Sequence, residues 1–230
     1  MRSTSPPQLP IIILISLLFG ALGFSYSFLG LLDYHQVIRP LEVFRILTVQ
    51  EIGGHFVFGF LVGLPSKNLS VALLTGLMAL TIDADHFLNI AGIHIQGRID
   101  HSIPFAISSA VIIGIAAMCI SNTKILQSNR NKTILSLGYK SKHNEDNNKS
   151  NSIFENNIFL QFLLITVAAF LSHIAYDVFV DDNARFPLFA PFSFTQYLIP
   201  QIFALPIELV GILIIYAYYT HLKQHSYQPL

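Results

Sequence analysis

The sequence predicts an all-α, polytopic membrane helix bundle of about six helices, or four full spans plus a short helical hairpin. Hydrophobic residues fill 53% of the 230 positions and charged residues 11%, where average soluble domains carry about 25% charged residues. The mean hydropathy is +0.57. Four segments, Leu9–Leu32, Ser102–Ser121, Ile158–Tyr176 and Tyr197–Thr220, each approach or exceed the roughly 20 apolar residues that carry a helix across a bilayer. Only His173 and Glu208 bring an imidazole or a formal charge into them.

Leu9–Leu32 reads as a retained first helix: it is longer than a signal-peptide apolar region and lacks a clear small-residue cleavage pattern. Two shorter apolar stretches follow, Ile52–Leu64 and Leu69–Ile82, separated by the turn signal "PSKN" at 65–68. With flanking residues they predict two thin or tilted helices near 48–64 and 69–85. The remaining helices are expected near 102–121, 158–180 and 197–221. Residues 122–157, rich in Asn, Ser and Lys, read as a flexible polar loop within a single membrane domain covering 1–230. The lone Cys119 lies mid-span and reads as a small buried apolar residue.

The net charge is zero, so no bulk field favours nucleic acid. With six helices, nine basic residues fall on one side and four on the other. The positive-inside rule then puts the nine in the cytoplasm. The expected location is the plasma (inner) membrane, with the bilayer itself as partner.

The same topology sorts the ionisable groups. His55 opens the second helix, Asp83, Asp85 and His86 end the third, His101 opens the fourth, and His173 and Asp177 close the fifth. Followed up and down the chain, all seven reach the side with few lysines, the extracytoplasmic one. In "LSHIAYD", His173 and Asp177 stand four apart on one helix face. They can share a metal or simply hydrogen-bond. "TIDADH" offers two hard oxygens and an imidazole at a helix end, where acidic groups are not otherwise favoured. In "GRIDHS", Asp100 reads as an ordinary N-terminal cap and His101 as a ligand. Gly53 and Gly54, beside His55, would allow close backbone approach.

An Asp at the centre of a membrane helix costs about 2.5–3.5 kcal/mol on insertion scales. A divalent cation would remove the mutual repulsion of such a cluster. Mixed imidazole and carboxylate donors suit Zn, Mn or Fe better than Ca or Mg. Six or seven ligands exceed what one tetrahedral ion needs, so one or two ions are expected, Zn or Mn foremost. Arg98 can clamp a phosphate or snorkel at the interface. Glu208, mid-helix, is either functional or bonded to a backbone group freed by Pro206.

The ordered set "GGH", "DADH", "RIDHS" and "LSHIAYD", followed by "FPLFAPFS", resembles the LexA-binding, inner-membrane-associated hydrolases, the YdjM-type family. The likeness runs from about His55 to Ser193. It implies a membrane-bound, metal-dependent hydrolase with ligands His55, Asp83, Asp85, His86, His101, His173 and Asp177. The third motif departs from the family pattern: Gln96 and Gly97 stand where it has His and Arg, Asp100 where it has Thr, and Arg98 is one place off.

The expected activity is therefore hydrolysis of an ester or phosphoester in a lipid or lipid-linked substrate at the membrane interface. Asp83 or Asp85 would take the proton from the attacking water, and Arg98 would steady the anion. Two other readings stay open: a structural membrane protein whose His and Asp bond helices together, and a divalent-metal binding or transport protein.

Overall fold

The computed structural model describes residues 9–29, 48–85, 98–135 and 146–225. Six α-helices run through them: α1 (Leu9–Ser27), α2 (Val49–Gly63), α3 (Leu69–Thr81), α4 (Ile103–Leu135), α5 (Asp146–Val180) and α6 (Ala204–His225). The chain is an all-α helix bundle. Four stretches, Leu9–Ser27, Ile103–Ser121, Ile158–Val180 and Gln201–Thr220, are long and apolar enough to cross a membrane. α2 has 15 residues and α3 has 13. At about 1.5 Å per residue they span roughly 20–22 Å, short of a hydrocarbon core of about 30 Å. The version with four full spans plus a short helical hairpin is thus the closer of the two.

The hairpin is built by local chemistry. The Thr48 hydroxyl caps α2 by accepting from the Glu51 amide at 3.1 Å. "LPS" at 64–66 winds into a single 3₁₀ turn, and Lys67 turns the chain in the left-handed region at φ 56°. Asn68 then caps α3, its Oδ1 accepting from the Ser70 amide at 2.9 Å. The two helices pack almost backbone to backbone. A Cβ at Gly59 would lie 2.6 Å from both Ala79 Cβ and the Thr75 carbonyl, and one at Gly63 would collide with Thr75 and Ala72. This four-residue spacing of small residues, Gly59 and Gly63, is the contact motif of the pair. Of the expected pair, Gly53 and Gly54, a Cβ at Gly53 meets nothing within 4 Å, whereas Gly54 makes room for the Tyr176 ring on α5 rather than for a backbone.

α5 is the most buried of the spans and packs against α2, α3, α4 and α6. α1 lies on α3, where the Thr81 hydroxyl donates to the Ser16 carbonyl at 3.1 Å. Phe19 and Phe105 stack in the core with ring centroids 5.7 Å apart. Outward-facing Leu17, Ile107, Leu209 and Leu213 remain exposed, as expected of helices whose other solvent is lipid. Cys119 is exposed on α4 rather than buried, because no neighbour among the described residues covers that face of the helix.

The Tyr176 hydroxyl donates to the Gln50 carbonyl at 3.2 Å, and the Gln201 amide donates to the Phe179 carbonyl at 2.6 Å. These contacts gather the start of α2, the end of α5 and the approach to α6 at one end of the bundle. Gln161 bonding Tyr219 at 2.7 Å marks the opposite end. Two boundaries differ from expectation. Residues 197–198 form a strand, not a helix, and pair with 185–186 in the register Arg185↔Leu198 and Phe186↔Tyr197. α6 therefore starts at Ala204, after Pro200 and a 3₁₀ turn at Gln201–Phe203; Pro200 lacks an N–H and biases Ile199 away from helix. α4 and α5 also extend into 122–157, where 136–145 lie outside the described residues.

Gly59→Leu forces α2 and α3 apart and should destabilise by about 1–3 kcal/mol. Thermal unfolding in detergent should show a clear drop in melting temperature, whereas Gly53→Leu should melt like the wild type. Equal melting of both variants would remove Gly59 from the helix contact.

Candidate metal centre

Four elements deliver side chains to the gathered end of the bundle. α2 supplies His55 from its second turn. α3 breaks into a 3₁₀ turn at Ile82–Asp85, where Asp83 leaves helical geometry at ψ 17° and turns its carboxylate inward. A second 3₁₀ turn, Ile99–His101, carries Asp100 and His101, both fully buried. Arg98, just before it, takes the left-handed conformation at φ 43° and ψ 54°. That conformation costs a non-glycine residue roughly 1–2 kcal/mol. α5 contributes His173 and Asp177 from adjacent turns of one face.

Their polar atoms converge. His101 Nε2 and His173 Nε2 are 2.8 Å apart. Asp177 Oδ2 lies 3.0 Å from His101 Nε2 and 3.6 Å from His173 Nε2. Asp83 Oδ1 lies 3.5 Å from His173 Nε2 and 4.0 Å from His101 Nε2. His55 Nε2 reaches Asp83 Oδ2 at 3.1 Å and Asp177 Oδ1 at 3.5 Å. Two sets, His55–His173–Asp177 and Asp83–His101–His173, each bring one ligand atom per residue within 4.8 Å of one another. Arg98 donates to Asp177 Oδ2 at 2.9 Å from the more exposed rim, its side chain 37% accessible.

The outer nitrogens are tied down. His173 Nδ1 sits 2.8 Å from the Ala79 carbonyl. A carbonyl only accepts, so the proton is on Nδ1 and the Nε2 lone pair points into the cluster. His101 Nδ1 sits 2.8 Å from Asp100 Oδ1, the carboxylate–histidine arrangement that orients metal-binding imidazoles. Burial pulls the His101 pKa down, but Asp100, with help from Asp177, more than offsets this and raises it to about 10. Imidazole rings also pack on one another: His55 stacks on His173 at 4.1 Å and 16°. Tyr176 meets the edge of His55 at 4.5 Å and fills the space a Cβ at Gly54 would need. Phe186 closes the far side by stacking on His101 at 5.6 Å and 12°.

Of the expected residues, His55, Asp83, Arg98, His101, His173 and Asp177 come together. The Asp85 side chain and His86 lie outside the described residues. Asp100 is not the cap of α4. The Ser102 hydroxyl accepts from the Phe105 amide at 3.3 Å in that role, which leaves Asp100 for His101; the adjacent "DH" followed by an alternative cap was the signal. The Ala79 carbonyl carried no such signal. Glu208 stands apart on α6, buried, with the Ser172 hydroxyl as its polar neighbour.

Buried His and Asp groups of this kind could hold a metal ion, and the donor set fits one. Among the described residues the cluster gathers three carboxylates, Asp83, Asp100 and Asp177, and the Arg98 guanidinium pairs with Asp177. The raised pKa of His101 keeps its imidazole protonated while no ion is bound, and a divalent cation would take the place of that proton at a site where uncompensated charge is costly. Two imidazole nitrogens 2.8 Å apart tolerate each other only with a proton or a cation between them.

Metal analysis of the purified protein should find one or two transition ions per chain, reduced to background in both His173→Ala and Asp83→Ala. Asp100→Asn, which weakens the hold on His101, should lower metal affinity about 10–100-fold without abolishing it. Unchanged content in folded His173→Ala would mean the cluster is not the metal site. Compared with family models, curated proteins and solved structures, the chain matches none of them, so its functional reading rests on this geometry.

Proposed function

We propose that this chain is a membrane-bound, metal-dependent hydrolase acting on an ester or phosphoester of a lipid or lipid-linked substrate at the membrane interface. The observation that carries the reading is the convergence of His55, Asp83, His101, His173 and Asp177 at one end of an apolar bundle, with the outer nitrogens of His101 and His173 anchored. These five would hold the ion, Zn or Mn by the mixture of imidazole and carboxylate donors. Asp85 and His86 complete the proposed ligand set. The likeness of the four motifs to the YdjM-type hydrolases points the same way, and membership of that family is part of the proposal.

A bound divalent ion supplies an acidified water and polarises the scissile carbonyl or phosphoryl group. The protein's own residues do the rest. Asp83 is the more accessible of the two converging carboxylates, 14% against 5% for Asp177. It accepts the proton from the attacking water, with Asp85 as the second candidate in the same turn. Arg98 holds Asp177 and lies at the rim, where its planar guanidinium would also steady an anionic oxygen of the substrate. Phe186 and Tyr176 exclude bulk water from the imidazoles. The surplus of basic residues on the opposite side of the topology supports an extracytoplasmic site in the inner membrane.

One observation favours the structural alternative: His101, His173 and Asp177 already have protein partners at 2.8–2.9 Å. Turnover separates the two. Purified protein should hydrolyse a phosphoester or lipid-ester substrate, lose at least about 100-fold in rate on chelation, and recover with Zn or Mn. Arg98→Lys should retain metal while losing about tenfold or more on phosphoester substrates, since an ammonium lacks the bidentate fork. Hydrolysis that survives rigorous demetallation would overturn the proposal.

A further inference from the structure

The segment that roofs the cluster has a second face that the site does not use. Between Phe186 and Phe203 the chain carries no Asp, Glu, Lys or Arg. Its inner face is tied to the bundle: Phe186 is buried on His101, the Ile103 amide donates to the Leu188 carbonyl at 2.9 Å, and the Tyr26 hydroxyl to the Ala190 carbonyl at 3.5 Å. Its outer face is apolar and open, with Phe192 at 86%, Ile202 at 78%, Phe203 at 50%, Leu198 at 49% and Phe189 at 48% exposure.

The backbone of this segment is unusually self-sufficient. The amides of Leu188, Ala190, Phe192 and Ser193 donate to the carbonyls of Phe186, Pro187, Phe189 and Phe189 in turn. Pro187, Pro191 and Pro200 have no N–H to satisfy. The Ser193 hydroxyl meets the Thr195 hydroxyl at 3.1 Å and accepts from the Thr195 amide at 3.4 Å. Non-helical backbone placed near hydrocarbon must meet its hydrogen bonds internally, and this stretch does so along most of its tip. The charged residues of the loop, Asp181, Asp182 and Arg185, are confined to its root. The exposed apolar band also continues into α6 through Leu205, Leu209 and Leu213, on a helix long and apolar enough to span a membrane.

We propose that residues 186–203 are an interfacial membrane insertion, whose outer face of Phe189, Phe192, Leu198, Ile202 and Phe203 rests in lipid at the headgroup–acyl boundary. The occupant is the bilayer, because the surface is continuous with a spanning helix, free of charge and internally hydrogen-bonded. The inference rests on the membrane placement of the bundle and not on the hydrolase reading. It sets the metal cluster directly beneath a lipid-facing roof, with Phe186 as the shared layer.

The chain contains no tryptophan, so a single Trp reports its own surroundings. Phe192→Trp and, separately, Ile202→Trp are made in the full chain and reconstituted into phosphatidylcholine vesicles. Leu213→Trp serves as the lipid-facing reference and Asp182→Trp as the aqueous one. Both hairpin reporters should emit to the blue of Asp182→Trp, lose about half their intensity with brominated phosphatidylcholine, as Leu213→Trp does, and resist iodide. Quenching by iodide and not by brominated lipid would place the hairpin in water and overturn the proposal. Shielding from both quenchers would mean that protein covers it, and would overturn the proposal equally. Phe192 is almost fully exposed, so its replacement fits without repacking, and the Ile202 reporter provides the independent reading should one variant aggregate.

Discussion

Polar side chains buried at one end of an apolar bundle impose the constraint on which the rest of this structure depends. His55, His101, His173, Asp100 and Asp177 are all almost inaccessible. Each must find its partner inside the protein or carry a large desolvation penalty. The irregular features of the fold meet that demand. α3 stops being α-helical at Ile82 so that Asp83 can turn in. Arg98 accepts a left-handed backbone and holds Asp177. Gly59 and Gly63 let α2 approach α3 closely, which brings His55 within 3.1 Å of Asp83.

The imidazoles divide the work between their two nitrogens. Outward, His173 reaches a backbone carbonyl and His101 a carboxylate. These bonds fix ring orientation, and the carbonyl also fixes the tautomer of His173. Inward, both Nε2 atoms meet the carboxylates of Asp83 and Asp177. The two facing nitrogens need a proton or a cation between them, and the raised pKa of His101 supplies the proton in the absence of an ion. A cation bound there in place of that proton would meet imidazoles whose orientation the outer bonds already fix.

The spans were legible in the sequence because crossing a membrane is a one-dimensional demand on length and apolarity. The one-sidedness of the cluster was legible too, since counting helices fixes which ends share a side. What a linear pattern does not contain is which group faces which. Asp100 and Ser102 are both good caps, and only three-dimensional packing assigns Ser102 to α4 and Asp100 to His101. The same limit hid the choice of Gly59 and Gly63 over Gly53, and the outward turn of Cys119. The start of α6 was misplaced because "YLIPQIF" is as apolar as a helix, although Pro200 already argued against one.

α5 shows how a single helix keeps two polar environments apart. Ser172 and His173 are neighbours in sequence, so their side chains leave the helix about 100° apart. His173 turns toward α3 and the cluster. Ser172 turns toward α6, where the buried Glu208 is its polar neighbour. A carboxyl group in that position neither adds a ligand to the cluster nor supplies water to it. The cluster lies instead at the end of the bundle, where Arg98 is partly open and Asp83 retains some access. That end of the bundle, beneath the uncharged hairpin, is therefore where the proposed hydrolysis would have to take place.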